Sequence, residues 1–146
     1  TIGANGGRDI LFGGDGNDDI NGGTGNDRIA GGSGNDVING GKASGGLPSR
    51  DFIDAGSGDD TANGGNGNDT IFGGDGNDSL VGGGDRDSIA GGEGVDTILG
   101  ESGNDTVLGG GSNDALRGGP DADRFFADEI DDEVLDFDGS IDSVLD

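Results

Sequence analysis

Thirteen aspartates march down this chain: Asp9, Asp18, Asp27, Asp36, Asp51, Asp60, Asp69, Asp78, Asp87, Asp96, Asp105, Asp114 and Asp123. The interval is nine residues, except for fifteen between Asp36 and Asp51. The 146 residues include no His and no Cys, which removes thiol and imidazole chemistry, disulfides, and the usual zinc and copper sites. Carboxylate and backbone carbonyl oxygens remain, the ligand set of a hard cation such as calcium. Other carboxylate chemistries fit less well. Glycoside hydrolysis needs one distinguished pair in a cleft, and nothing singles out a pair, so the chain does not read as an enzyme. An EF-hand starting at Asp15 would need an acidic residue at position 12 of its loop, where Asn26 stands. Phosphate-cradling loops need a Lys and a following helix. Collagen needs glycine at every third residue.

The elements that must position these aspartates follow from the same period. The unit is Gly-Gly-x-Gly-Asn-Asp-x-Ile-x, clearest at Gly13–Asn21. With the first glycine as position 1, thirteen units run from residue 4 to 126, twelve of nine residues and one of fifteen (40–54). A fixed short period of this kind predicts a stacked repeat architecture. Position 8 is always apolar: Leu11, Ile20, Ile29, Ile38, Ile53, Ala62, Ile71, Leu80, Ile89, Ile98, Val107, Leu116 and Phe125, with Ile2 upstream and Val134 downstream in phase. Flanked by polar neighbours, it reads as the inward residue of a three-residue strand. Positions 1 to 5, rich in Gly, Asn, Asp and Ser, are turn chemistry that tolerates positive φ. Two units then close one coil, and coils stack at about 4.8 Å into a roll roughly 30 Å long.

Composition argues against such a fold unless something is added. Seven Lys and Arg face 31 Asp and Glu, for a formal charge of −24, and this composition equally suits a disordered acidic chain. It also disfavours nucleic acid and anionic membrane as partners. No apolar run is long enough to span a membrane, and no signal peptide is visible. Each coil buries only two position-8 side chains, little against the cost of ordering a glycine-rich backbone. Stacking also sets each position-6 aspartate one strand spacing from the next. A divalent cation between turns would relieve that repulsion, and its binding free energy would become folding free energy.

Repeated thirteen times, the nonapeptide resembles the RTX (repeats-in-toxin) calcium-binding β-roll over residues 1–126. The resemblance implies an all-β, right-handed parallel β-roll of two short-strand sheets with calcium-binding turns. Residues 127–146, through Val134-Leu135-Asp136-Phe137-Asp138-Gly139, Asp142 and Val144-Leu145, resemble a C-terminal capping segment. It further implies that each calcium lies between one turn and the turn two units on. The earlier turn supplies carbonyls at positions 2 and 4 and its aspartate; the later turn supplies carbonyls at positions 1 and 3 and its aspartate. One such site is Gly14, Gly16 and Asp18 with Gly31, Ser33 and Asp36; another is Gly74, Gly76 and Asp78 with Gly91, Glu93 and Asp96. Across the chain the implied carbonyl ligands are, at position 1, Gly22, Gly31, Gly64, Gly73, Gly82, Gly91, Gly100 and Gly109. At position 2 they are Gly14, Gly23, Gly32, Gly56, Gly65, Gly74 and Gly92. Position 3 supplies Thr24, Ser33, Ser57, Asn66, Asp75, Gly84, Glu93, Ser102 and Gly111. Position 4 supplies Gly16, Gly25, Gly34, Gly58, Gly67, Gly76, Gly94 and Gly103. Each interior aspartate would bridge two ions, and a degenerate fourteenth unit with Asp132 would extend the column. Filled on both sides, the roll would hold about nine to eleven calcium ions.

Departures from the motif mark sites expected to be weak, missing or rearranged. The fifth unit carries an insertion within residues 42–50, leaving its position 4 undefined and threatening the sites of Asp27 and Asp51. Asp85, Ser112 and Asp121 replace glycine at position 4, and Glu101 replaces it at position 2, a source of strain if those positions need positive φ. The outward positions 7 and 9 differ between sheets. Odd units present Ile10, Phe12, Ala30, Phe52, Phe72, Ala90, Leu108 and Phe126; even units are mostly polar. The odd face is therefore expected to offer a docking stripe to a neighbouring domain or a second copy, with scattered surface residues as the plainer reading.

The functional expectation is calcium binding coupled to folding of a secreted or cell-surface protein after type I export. The alternatives are a structural, adhesive or surface-layer module, or the accessory roll of a secreted hydrolase or toxin. Thr1-Ile2-Gly3 reads as positions 7 to 9 of a repeat and suggests a piece of a longer protein.

Overall fold

The structure is a computed structural model that describes residues 1–42, 48–126, 132–136 and 142–145. Among these residues there is no helix, and hence none long and apolar enough to cross a membrane. The strands in chain order are β1 Ile2–Gly3, β2 Gly6–Gly7, β3 Ile10–Asp15, β4 Asp19–Asn21, β5 Thr24–Gly25, β6 Arg28–Ser33, β7 Val37–Gly41, β8 Phe52–Ser57 and β9 Thr61–Asn66. They continue with β10 Thr70–Asp75, β11 Ser79–Gly84, β12 Ser88–Glu93, β13 Thr97–Ser102, β14 Thr106–Gly111, β15 Ala115–Arg117, β16 Arg124–Phe126, β17 Glu133–Val134 and β18 Ser143–Leu145.

Even units build one eight-stranded sheet in the order β1-β4-β7-β9-β11-β13-β15-β17, and odd units the other, β3-β6-β8-β10-β12-β14-β16-β18. All pairs are parallel. Residues pair with those eighteen further on, as in Ile71↔Ile89, so two units make one coil of a parallel β-roll. The position-8 column fills the space between the sheets, fully buried from Ile20 to Phe125. Ile2 and Val134 pack against its two ends.

The strands are longer than the predicted three residues. Most interior ones run from position 7 of one unit to position 3 of the next, as Thr70–Asp75 does. Pairing lapses only at position 1: Phe72↔Ala90 is followed directly by Gly74↔Gly92. The ladder thus continues into the turn because positions 2 and 3 also exchange backbone hydrogen bonds, while position 1 turns aside.

The insertion leaves this register intact. Lys42 pairs with Thr24 and Ser49 with Gly67, so Lys42 holds position 3 and Ser49 takes position 4, the place the sequence left undefined. Pairing across the insertion lengthens to twenty-four residues, as in Arg28↔Phe52, without a slip. Residues 43–47 of the insertion lie outside the described residues.

Beyond residue 126 the stacking continues, with Leu116↔Val134 in one sheet and Phe125↔Val144 in the other. Asp138 and its neighbours in 137–141 lie outside the described residues.

Candidate metal centre

The aspartate column is organised by its own backbone. The N–H of each position-6 residue donates to Oδ1 of the aspartate one coil further on: Asp27 to Asp51 at 2.7 Å, Asp69 to Asp87 at 2.8 Å, Asp87 to Asp105 at 2.8 Å. Asp132 and Asp142 extend the two columns, accepting from Asp114 and Asp123 at 3.0 Å each. This ladder fixes every carboxylate in one orientation. It also makes the two oxygens unequal. The Oδ2 atoms of Asp27, Asp36, Asp51, Asp60, Asp69, Asp78, Asp87, Asp96, Asp105, Asp123 and Asp132 are buried and accept no hydrogen bond.

A row of orphaned anionic oxygens is a large unfavourable term, because burial penalises charge that nothing offsets. The carboxyl pKa values respond accordingly. Burial, partly countered by the backbone N–H bond, pushes Asp87 up to about 8 and Asp51 to about 7. Asp60, Asp96 and Asp105 rise to about 6. Asp27, Asp69, Asp78 and Asp123 also move upward, with burial as the leading cause. Neighbouring carboxylates, many of them in the same column, add repulsion; for Asp87 these are Asp69, Asp105 and Asp85.

The second half of each cradle is the carbonyl of position 1, where the pairing lapses. A methyl built on Gly22 would lie 2.6 Å from the Gly40 oxygen and 2.7 Å from Asp27 Oδ2. On Gly64 it would lie 2.6 Å from Asp69 Oδ2 and 2.8 Å from the Gly82 oxygen. From Gly13 to Gly100, wherever position 1 is glycine, an aspartate oxygen and the carbonyl of the next coil converge on one small space that a side chain would fill. Among the described residues no three acidic side chains gather in one place, so a cation held here would take most of its ligands from carbonyls. An all-oxygen, carbonyl-rich set with one or two carboxylates is calcium chemistry.

The four implied carbonyl columns are not alike. Position-3 oxygens accept from position-4 N–H groups one coil back, as Ser33 does from Gly16 at 2.7 Å. The position-2 oxygen of Gly23 accepts from Lys42 at 2.9 Å, and the position-4 oxygen of Gly7 from Asn26 at 3.1 Å. A carbonyl has two lone pairs, so those engaged in the ladder can still ligate, but position 1 is the column turned towards Oδ2. The same holds for Oδ1: bridging two ions would ask it to ligate beside the N–H it already accepts.

Positions 2 and 4 take positive φ in most turns. Of the six non-glycine residues there, Asn5 and Ser49 do not, while four adopt it, Asp85 at 73°, Glu101 at 72°, Ser112 at 89° and Asp121 at 96°. The ladder absorbs them, with Gly83↔Glu101 paired in register, so their cost is local strain rather than a broken coil. The exceptions, Asn5 and Ser49, make the first and fifth turns irregular.

Two features carried signals that the column reading passed over. Position 5 forms a second ladder, in which a side-chain oxygen of Asn or Asp accepts the position-5 N–H of the next coil: Asn17 from Asn35 at 3.0 Å, Asp59 from Asn77 at 2.9 Å. Its signal was the repeated Asn before the aspartate. The other is Ala55, which stands at position 1 of the sixth unit and is fully buried in the core. By its phase its methyl takes the place that glycine leaves open in the other interior units. Ala55→Gly is expected to strengthen one calcium site, and Gly64→Ala to remove one, read as a change of one in the ions bound at saturation.

The comparisons with known proteins agree with this centre. The model of the RTX calcium-binding nonapeptide repeat, in four copies, matches residues 1–29, 12–44, 46–80, 54–89, 72–107, 90–125 and 99–132. No curated protein matches the chain. With matches spanning nearly all of its length, on repeats whose aspartates form the column described above, the chain belongs to the RTX calcium-binding nonapeptide repeat family.

Proposed function

We propose that this roll is a calcium-driven folding module of a secreted or cell-surface protein. The observation that carries the reading is the column of buried, unpartnered Oδ2 atoms, those of Asp27, Asp36, Asp51, Asp69, Asp78, Asp87, Asp96 and Asp105 each meeting a position-1 carbonyl of the next coil beside a glycine. A fold that buries this much anionic oxygen is stabilised only when a cation occupies the cradles. At low calcium the unfolded chain keeps its aspartates hydrated; at high calcium, ions that bind only the roll pull the equilibrium towards it. The ligands are the position-6 aspartates with the carbonyls of positions 1 to 4, about nine to eleven ions in all. Such a chain would cross an export channel unfolded and fold outside the cell. Equilibrium dialysis against calcium tests the ligand count. About nine to eleven ions bound per chain, with magnesium failing to replace them, is the expected outcome; one or two ions would refute the column as the binding centre.

The exposed odd sheet supports a second role as a self-docking face. Ile10 and Phe12 are 65% and 70% exposed, and the Phe52 and Phe72 rings lie 5.6 Å apart. From Ile10 to Phe126 its outward positions 7 and 9 carry one acid, Asp54, against Arg28 and Arg124, so two acidic rods approach here with least repulsion. Sedimentation of the calcium-loaded roll should show a dimer that Phe12→Ser, Phe52→Ser and Phe72→Ser together dissolve; a monomer before substitution rejects it.

A further inference from the structure

The chain has seven basic residues, and the roll gathers three of them at one place. Arg8 and Arg50 stand at position 5 of alternate odd turns, with Asn26 on the coil between them. Asn26 N–H donates to the Gly7 oxygen at 3.1 Å, and Arg50 N–H donates to Asn26 Oδ1 at 3.1 Å, so the three lie on consecutive rungs. Two rungs separate the arginines by about 10 Å along the roll. Arg28 follows Asn26 by two residues, and its guanidinium lies 4.8 Å over the Phe52 ring. Arg8, Asn26, Arg28, Arg50 and Phe52, with Asp27 at the floor, line one hollow of about 250 Å³.

None of the three guanidiniums is in an ion pair among the described residues, where Arg117 with Asp136 is the single pair. This holds in a chain of net charge −24, with Asp54 two residues along β8 from Phe52. Cations left unpaired on so acidic a molecule are not required by the fold. At position 5 arginine supplies no acceptor, so Arg8 offers none to Asn26, and Arg50, which donates its own N–H to Asn26 Oδ1, carries the ladder no further.

We propose that this hollow binds a tetrahedral oxyanion, a sulfate or phosphate group, between Arg8, Arg28 and Arg50. Guanidinium forks match the oxygens of such a group, and the Asn26 side-chain amide adds a neutral donor at its centre. Phe52 holds Arg28 in place by stacking under it. Calcium sets the potential of the site. Asp27 at its floor belongs to the aspartate column, and about nine to eleven divalent ions would reduce the formal charge of −24 to between about −6 and −2. Anion binding is therefore a property of the calcium-loaded roll, and the proposal rests on the calcium reading to that extent.

The test follows the arginine Nε–H signals by NMR in the calcium-loaded chain, with far-UV circular dichroism recorded first to establish the roll. Sodium sulfate and methyl phosphate are titrated separately at constant ionic strength, with sodium acetate as the carboxylate comparison. The signals of Arg8, Arg28 and Arg50 are expected to shift saturably with sulfate or methyl phosphate, and whichever binds more tightly identifies the source of the group. Arg50→Gln keeps its backbone bond to Asn26 and should weaken binding about fivefold or more, whereas Arg117→Gln, on the opposite sheet, should leave it unchanged. A roll that forms with calcium but shows no shift beyond that of chloride, or an equal response to acetate, overturns the anion site alone. A chain that forms no roll in calcium overturns the calcium reading, and the anion site falls with it.

Discussion

Replacing Asp87 by Asn should act in opposite directions with and without calcium. Asp87 is the aspartate whose carboxyl is pushed furthest among those with a stated value, up to about 8, by burial first and then by Asp69, Asp105 and Asp85. Its Oδ1 accepts from Asp69 N–H at 2.8 Å, a bond that an Asn side-chain oxygen can keep. The substitution therefore preserves the ladder and removes the charge. With calcium present it removes a charged ligand from the cradles on either side of it, and the calcium midpoint of folding should rise by at least about tenfold. In chelator it removes a buried charge without a partner, and the residual β structure should increase. Circular dichroism of parent and variant under both conditions reads both signs. A variant destabilised in chelator as well would mean that Asp87 serves packing rather than metal.

Acidification should mimic calcium in part. The folded-state pKa values of Asp51, Asp60, Asp87, Asp96 and Asp105 lie at about 6 to 8, above the ordinary 3.8 of the unfolded chain. A raised folded pKa favours the roll below the unfolded value, and that advantage is lost as pH rises through the folded value. In chelator, the chain should therefore gain β structure between pH 8 and pH 4. In calcium the same protons compete with the ion, and the calcium midpoint should rise as pH falls. Chelated samples without a β signal at pH 4 would show that carboxylate charge is not what holds the free chain open.

The sequence made the columns at positions 6 and 8 legible because a nine-residue period translates directly into rungs. The positive φ at Asp85, Glu101, Ser112 and Asp121 followed from their phase, and the structure bears it out. What the period does not carry is atomic inequality. Nothing in the letters separates Oδ1 from Oδ2; that difference arises when the ladder uses one and leaves the other. Ala55 was readable in principle, yet a methyl in place of a hydrogen matters only once the space above position 1 is known to be the cradle. Ser49 could not be placed, because six extra residues leave several candidates for position 4 until pairing with Gly67 selects one. Arg8, Arg28 and Arg50 look scattered along the chain, and the pairings of Ile10 with Arg28 and of Arg28 with Phe52 across the insertion bring them together.

The central claim is that the roll exists because calcium fills its aspartate column. Far-UV circular dichroism of the chain in excess EDTA at neutral pH, followed by calcium titration, tests it most directly. An unfolded spectrum in EDTA and a cooperative rise of β signal as calcium is added are the expected results. Full β structure retained in EDTA would contradict the claim.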